Sequence, residues 1–180
     1  MLLSRDELSV ALTRVQSGVG ALTIEAACSE SVGDLRLAVG YRFDDGLSSL
    51  VGLERGVPAA PPGSRRPVLR ASRGRFETVT LDLRQVRRID RFLVLAYSAS
   101  RGTLSWGGTL SVRTAGGAQV DIPLDRAPAP GVLVPLSVYL VDGQLVLRAE
   151  GDLVPGALRD ACFAYGLDGI SWLDAWTPLT

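Results

Sequence analysis

Apolar and polar residues alternate along most of this chain, most regularly between Gly33 and Gly46. Leu35, Leu37, Val39, Tyr41 and Phe43 hold the odd positions, while Asp34, Arg36, Arg42 and Asp44 surround the small residues Ala38 and Gly40 on the even ones. A period of two puts each set on its own face, so the segment predicts a half-buried strand closed by an Asp-Asp-Gly turn. Leu47 to Leu53 predicts its return partner. Upstream, Leu22, Ile24, Ala26 and Cys28 share one face of another strand, and the turn Ser29 to Gly33 predicts that the two strands pair antiparallel. Leu2 to Val15 alternates weakly and reads as an edge strand, with a short helix as the alternative, broken by Gln16-Ser17-Gly18.

Alternation resumes at Glu77 (Val79, Leu81, Leu83), and Phe92 to Tyr97 is an almost unbroken apolar run, as expected of a central strand covered on both faces. Leu110–Thr114 and Val120–Leu124 flank Ala115-Gly116-Gly117-Ala118, and Val132–Val141 and Gln144–Glu150 flank Asp142-Gly143, predicting two hairpins. Pro155 to Gly166 is the best helix candidate, with proline in its first turn and glycine after its last. Short strands with one late helix predict an all-β, antiparallel two-sheet β-sandwich, with residues 1–180 as one domain. Two stretches stand apart. Residues 56–75 hold four of the ten prolines and five arginines without an acid, which reads as a long loop, and residues 167–180 form an aromatic tail.

Composition narrows the function. A chain of 180 residues with 47% hydrophobic content has enough apolar material for a core. No apolar run is long enough to span a bilayer, and MLLSRDELSV has acids where a secretory leader needs an apolar stretch, so a cytoplasmic protein without direct membrane insertion is expected. All 19 basic residues are arginine and histidine is absent. That excludes Ser-His-Asp and Cys-His nucleophilic machinery and removes the commonest zinc and iron ligand. Cys28 and Cys162 lack metal-ligand spacing and read as small buried hydrophobes.

Charge is balanced overall but unevenly placed. Residues 65–91 carry nine arginines against Glu77, Asp82 and Asp90, whereas residues 142–174 carry six acids against Arg148 and Arg159. Two readings stand: solvated loops, or a basic patch that meets an anion or the acidic region of another copy. The candidate partner-binding residues are Arg65, Arg66, Arg70, Arg73, Arg75, Arg84, Arg87 and Arg88, joined by Trp172 and Trp176 of the tail, for which a place in the core is the alternative. The arginines lack interleaved aromatics, which argues against nucleic acid.

The order of these features resembles the TerD superfamily of tellurium-resistance and stress-response proteins, in particular its TerA-like branch. Leu3-Ser4-Arg5-Asp6-Glu7-Leu8-Ser9-Val10-Ala11-Leu12-Thr13-Arg14 is similar to the family's opening pattern. Asp34-Leu35-Arg36-Leu37, Tyr41-Arg42-Phe43-Asp44-Asp45-Gly46 and Val51-Gly52-Leu53 resemble its Asp-Leu-Asp-Leu strand, Tyr-x-x-x-Asp-Gly turn and return strand. Val79 to Leu83 with Ile89 to Tyr97, then Arg159 to Gly166 with Ile170-Ser171-Trp172, follow in the family's order.

The resemblance implies a non-catalytic sandwich that binds calcium through acid-rich loops and works with other family members or membrane-associated stress proteins, with self-association open. Calcium needs about six to eight oxygen ligands, several of them carboxylates. Here the matching positions are Asp34, Arg36, Asp44, Asp45, Arg70 and Arg73, with arginine where acids are expected. A guanidinium has no acceptor atom. The expectation is a degenerate, metal-free site in which Arg36 or Arg73 sets its charge against Asp34 or Asp44, and no cofactor; the alternative for Arg36 is a side chain pointing to water. A different class of function, a carbohydrate-type binding sandwich, would use an exposed Trp106 as a stacking platform. An enzyme with Asp44 and Asp45 as paired carboxylates is the weakest reading, because neighbours on a strand point to opposite faces.

Overall fold

A computed structural model describes residues 1–3, 8–28 and 30–179, so Ser4 to Glu7 of the opening motif and Ser29 of the turn after Cys28 lie outside the described residues. The elements begin with β1 (Ser9–Ala11), α1 (Arg14–Gly18), β2 (Ala21–Ala27), β3 (Leu35–Phe43), β4 (Ser48–Gly52), β5 (Ala59–Ala60), β6 (Leu69–Arg73) and β7 (Glu77–Asp82). A 3₁₀ turn (Leu83–Arg88) leads to β8 (Ile89–Ser98), β9 (Thr109–Thr114), β10 (Gln119–Pro123), β11 (Val132–Val141), β12 (Gln144–Val154) and α2 (Leu158–Ala164). Two six-stranded sheets form the predicted sandwich, one ordered β1-β12-β11-β8-β3-β4 and the other β10-β9-β2-β7-β6-β5. All strand pairs are antiparallel.

The main core lies between the sheets. Leu37, Val39, Tyr41 and Phe43 of β3 and Phe92, Val94 and Ala96 of β8 meet Leu22, Ile24, Val79, Leu81 and Val112 from the facing sheet. The hairpins β3–β4, β9–β10 and β11–β12 form as alternation predicts, and β8 is the buried central strand between β3 and β11. The expected pairing of β2 with β3 does not form. β2 pairs with β7 and β9, and the connection after it crosses to the other sheet. The apolar faces of β2 and β3 meet across the sandwich rather than side by side.

Three further expectations change. The N-terminal segment holds both alternatives: a three-residue edge strand, then α1, where Thr13 accepts from Gln16 N at 3.3 Å and Gln16 Oε1 accepts from Thr13 N at 3.0 Å. This capping box explains why Gln16-Ser17-Gly18 extends a helix instead of breaking a strand. Residues 56–75 are more than a loop, since they contain β5 and β6 and bury Ala60, Val68 and Leu69 completely. The helix starts later than predicted, at Leu158, with Pro155 ahead of it.

The even-numbered face of β3 is not a solvent face. A second core lies on the outer side of that sheet, where Ala38, Leu50, Leu93, Leu95, Tyr97, Val132 and Val134 are covered by Leu158, Ala161 and Cys162 of α2 and by Leu167 and Ile170. Gly40 permits the close approach: a Cβ there would lie 3.0 Å from Leu167 Cδ1 and 3.1 Å from Cys162 Sγ. The molecule thus has a covered sheet, under a C-terminal layer, and an open sheet whose outer face is polar. Among the described residues, no helix is long and apolar enough to cross a membrane.

Candidate functional site

Arg70 of β6, Thr80 of β7, Thr23 of β2 and Arg113 of β9 stand in one row across the outer face of the open sheet. They point outward because their strand neighbours Leu69, Ala71, Val79, Leu81, Leu22 and Ile24 are buried, and side chains alternate. Beside this row, a cleft of about 530 Å³ is lined by Arg65, Arg66, Arg70 and Arg84 together with Thr80 and Asp82. Three elements supply the arginines: the segment before β6, β6 itself and the 3₁₀ turn.

The backbone under the cleft is tied down. Val68 N donates to Ala60 O at 2.7 Å, Asp82 N to Val68 O at 2.9 Å and Leu83 N to Gly20 O at 3.0 Å. Ser64 Oγ accepts from Arg66 N at 3.2 Å. Gln85 Nε2 donates to the carbonyls of Arg66 and Pro67 at 3.1 and 3.4 Å, and to Asp82 Oδ2 at 3.1 Å. The arginines at 65 and 66 therefore extend from a fixed main chain.

Charge in the cleft is compensated at only one of its arginines. Asp82 receives Arg84 through two bonds, Nε to Oδ1 at 2.9 Å and Nη2 to Oδ2 at 3.1 Å, and this partner holds its carboxyl below the ordinary range. Among the described residues, no carboxylate lies within ion-pair distance of Arg65, Arg66 or Arg70, and all three are exposed. Sequence reading named all four cleft arginines but missed Asp82 and Gln85 as their supports and Thr80 as part of the lining. An Asp directly before a short helical turn was the available signal, since Asp82 caps that turn by accepting from Arg84 N at 3.2 Å.

The other partner-binding candidates lie elsewhere. Arg73, at the far end of β6, binds Glu77 and also Glu54, the latter at 2.9 Å. Arg75 stacks on Phe76 and Arg88 on Phe43, each at 5.3 Å from the ring centre, and Arg87 lines a separate cleft with Asp44 and Asp90. Trp172 and Trp176 pack against the outer core, Trp176 with its ring centre 5.9 Å from that of Tyr97.

The positions matched to the family's calcium site do not assemble. Asp34 precedes β3 and Asp44 and Asp45 follow it, so the nine-residue strand separates them by about 30 Å. Arg36 and Arg73 do come together, but on Glu54 rather than on Asp34 or Asp44: Arg36 Nε reaches Glu54 Oε1 at 3.3 Å. Arg73 first and Arg36 second hold the Glu54 carboxyl below its ordinary range. Arg36 is half-buried and engaged, not pointing freely to water. Asp34 accepts from Ser98 Oγ at 2.6 Å and Ser100 N at 2.7 Å; burial opposes its ionisation, and these bonds prevail and lower its value. Asp44 and Asp45 are exposed, and Arg70 belongs to the cleft. These residues do not fit a calcium ion, and among the described residues no three His, Cys, Asp or Glu side chains form a metal-holding group.

Trp106 is not a stacking platform. It is 6% exposed, and its Nε1 donates to Ala129 O at 3.2 Å. Neither cysteine is an activated thiol: both are free, burial raises Cys28, and deeper burial pushes Cys162 up to about 12. No family model, curated protein or solved structure matches the chain.

Proposed function

We propose that this protein is a non-catalytic interaction module, a divergent and metal-free relative of the TerD-like sandwiches that its motif order resembles, and that its arginine cleft binds an anionic group of a partner. The observation that carries the reading is the meeting of Arg65, Arg66 and Arg70 on a tied backbone, with no carboxylate within ion-pair distance of the three among the described residues. Guanidinium forks are matched to carboxylate or phosphate oxygens. The absence of histidine and the two unactivated cysteines support a binding role over a catalytic one. The resemblance suggests stress-response proteins, soluble or membrane-associated, as partners.

The test is affinity capture from the native host with the wild-type chain and with Arg66→Glu/Arg70→Glu. Both residues are exposed, so circular dichroism should stay unchanged while a salt-sensitive partner is lost. Undiminished capture by the charge-reversed chain would remove the cleft from the reading. Calcium titration by calorimetry is expected to give no binding heat; a stoichiometric heat would overturn the metal-free assignment.

A further inference from the structure

We infer that the anionic group this cleft takes is a phosphate monoester or pyrophosphate, carried by a soluble partner. This rests on the anion-binding reading above and narrows it. A carboxylate is planar and offers two oxygens, which one guanidinium fork satisfies. The cleft instead gathers arginines from three elements: Arg65 and Arg66 from the segment before β6, Arg70 from β6 and, with Asp82 as its partner, Arg84 from the 3₁₀ turn. A phosphate group suits such an array, because it carries close to two charges and presents three acceptor oxygens arranged tetrahedrally.

The remaining lining agrees. Thr80, also in the lining, carries a hydroxyl that can donate. Asp82 would repel an anion, but Arg84 occupies both its carboxylate oxygens. The volume of about 530 Å³ lies within the range of small-ligand sites. Among the described residues, no aromatic side chain lines the cleft, so they offer no platform for stacking a nucleobase. The bonds from Gln85 and Ser64 fix the arginine-bearing backbone before any ligand arrives, which lowers the ordering cost of binding.

Calorimetry on the full chain with inorganic pyrophosphate, and separately with citrate as a carboxylate of comparable charge, tests this directly. Pyrophosphate should bind at one site, and citrate at least about tenfold more weakly. Arg70→Gln and Arg66→Gln should each weaken pyrophosphate by about tenfold or more, whereas Arg113→Gln, on the same face but outside the cleft, should leave it unchanged. Equal binding of citrate would overturn the phosphate assignment while leaving an anion-binding cleft in place. Failure of pyrophosphate, citrate and phosphoinositide vesicles alike to bind would overturn the phosphate site, while loss of the captured partner by Arg66→Glu/Arg70→Glu would still keep the anion-binding reading. Binding only to vesicles carrying phosphoinositide headgroups, with no response to pyrophosphate, would overturn the soluble partner.

Discussion

The two cores of this molecule are built differently. Between the sheets, leucine, valine, isoleucine and four fully buried aromatic or large aliphatic side chains of β3 and β8, Leu37, Tyr41, Phe43 and Phe92, form one continuous apolar cluster. Under the C-terminal layer, contact depends on small residues, Ala38 and Gly40, and on aromatic rings with polar atoms. Among the described residues, buried polar atoms without a partner concentrate there too: Arg91 Nε, Tyr97 OH and Trp172 Nε1, against Ser49 Oγ on edge strand β4. Each such group costs about 1–3 kcal/mol relative to a paired one. The inner core therefore defines the sandwich, and the outer core attaches a layer to it less firmly.

Four substitutions press on that contrast. Phe92→Ala, at the centre of the inner core, should cost about 3–5 kcal/mol and lower the denaturant midpoint of the whole chain. Gly40→Leu should cost about 1–3 kcal/mol by forcing Leu167 and Cys162 away. Its sign is regional, since amide exchange should accelerate in α2 while β8 keeps its protection; equal acceleration in both would mean that the two cores open as one.

Glu54→Gln removes the acid that joins Arg36 of the covered sheet to Arg73 of the open one, and should cost about 0–1 kcal/mol at neutral pH because all three groups are partly exposed. The Glu54 carboxyl is lowered in the folded chain, so its contribution is complete above the unfolded value and disappears as pH falls through the folded one. Wild-type and variant melting curves should accordingly converge in acid. Tyr97→Phe should be nearly neutral or slightly stabilising by thermal melting, since it removes a buried hydroxyl that has no partner; a clear loss would show that the hydroxyl is satisfied in solution.

Alternation made the strands legible because burial of one face is a local property of the chain. It could not choose neighbours. The faces of Leu22 and Leu37 are equally apolar whether their strands share a sheet or oppose each other, and only the assembled fold selects opposition. Proline and arginine hid β6, although Val68-Leu69 and Ala71 were an apolar signal within that stretch. On β3, Arg36 and Arg42 drew attention to charge, while Ala38 and Gly40 between them were the actual mark of a covered face. At the candidate site the arginines were readable from composition. Their grouping was not, since it depends on Gln85 and Asp82 fastening two segments that sequence separates. Glu54 was missed as the acid joining Arg36 and Arg73, because it lies in a turn with no motif of its own.

The pairing of β1 with β12 has a consequence for how this chain is made. Ser9, Val10 and Ala11 find their partners at Arg148, Leu147 and Val146, and the segments that cover the outer core follow every strand. During synthesis by the ribosome, the first strand waits for the last, and one apolar sheet face waits bare until α2 emerges. Closure of the molecule is therefore a late event, and nascent chains released before Gln144 leave both an unpaired strand and an uncovered face open to aggregation.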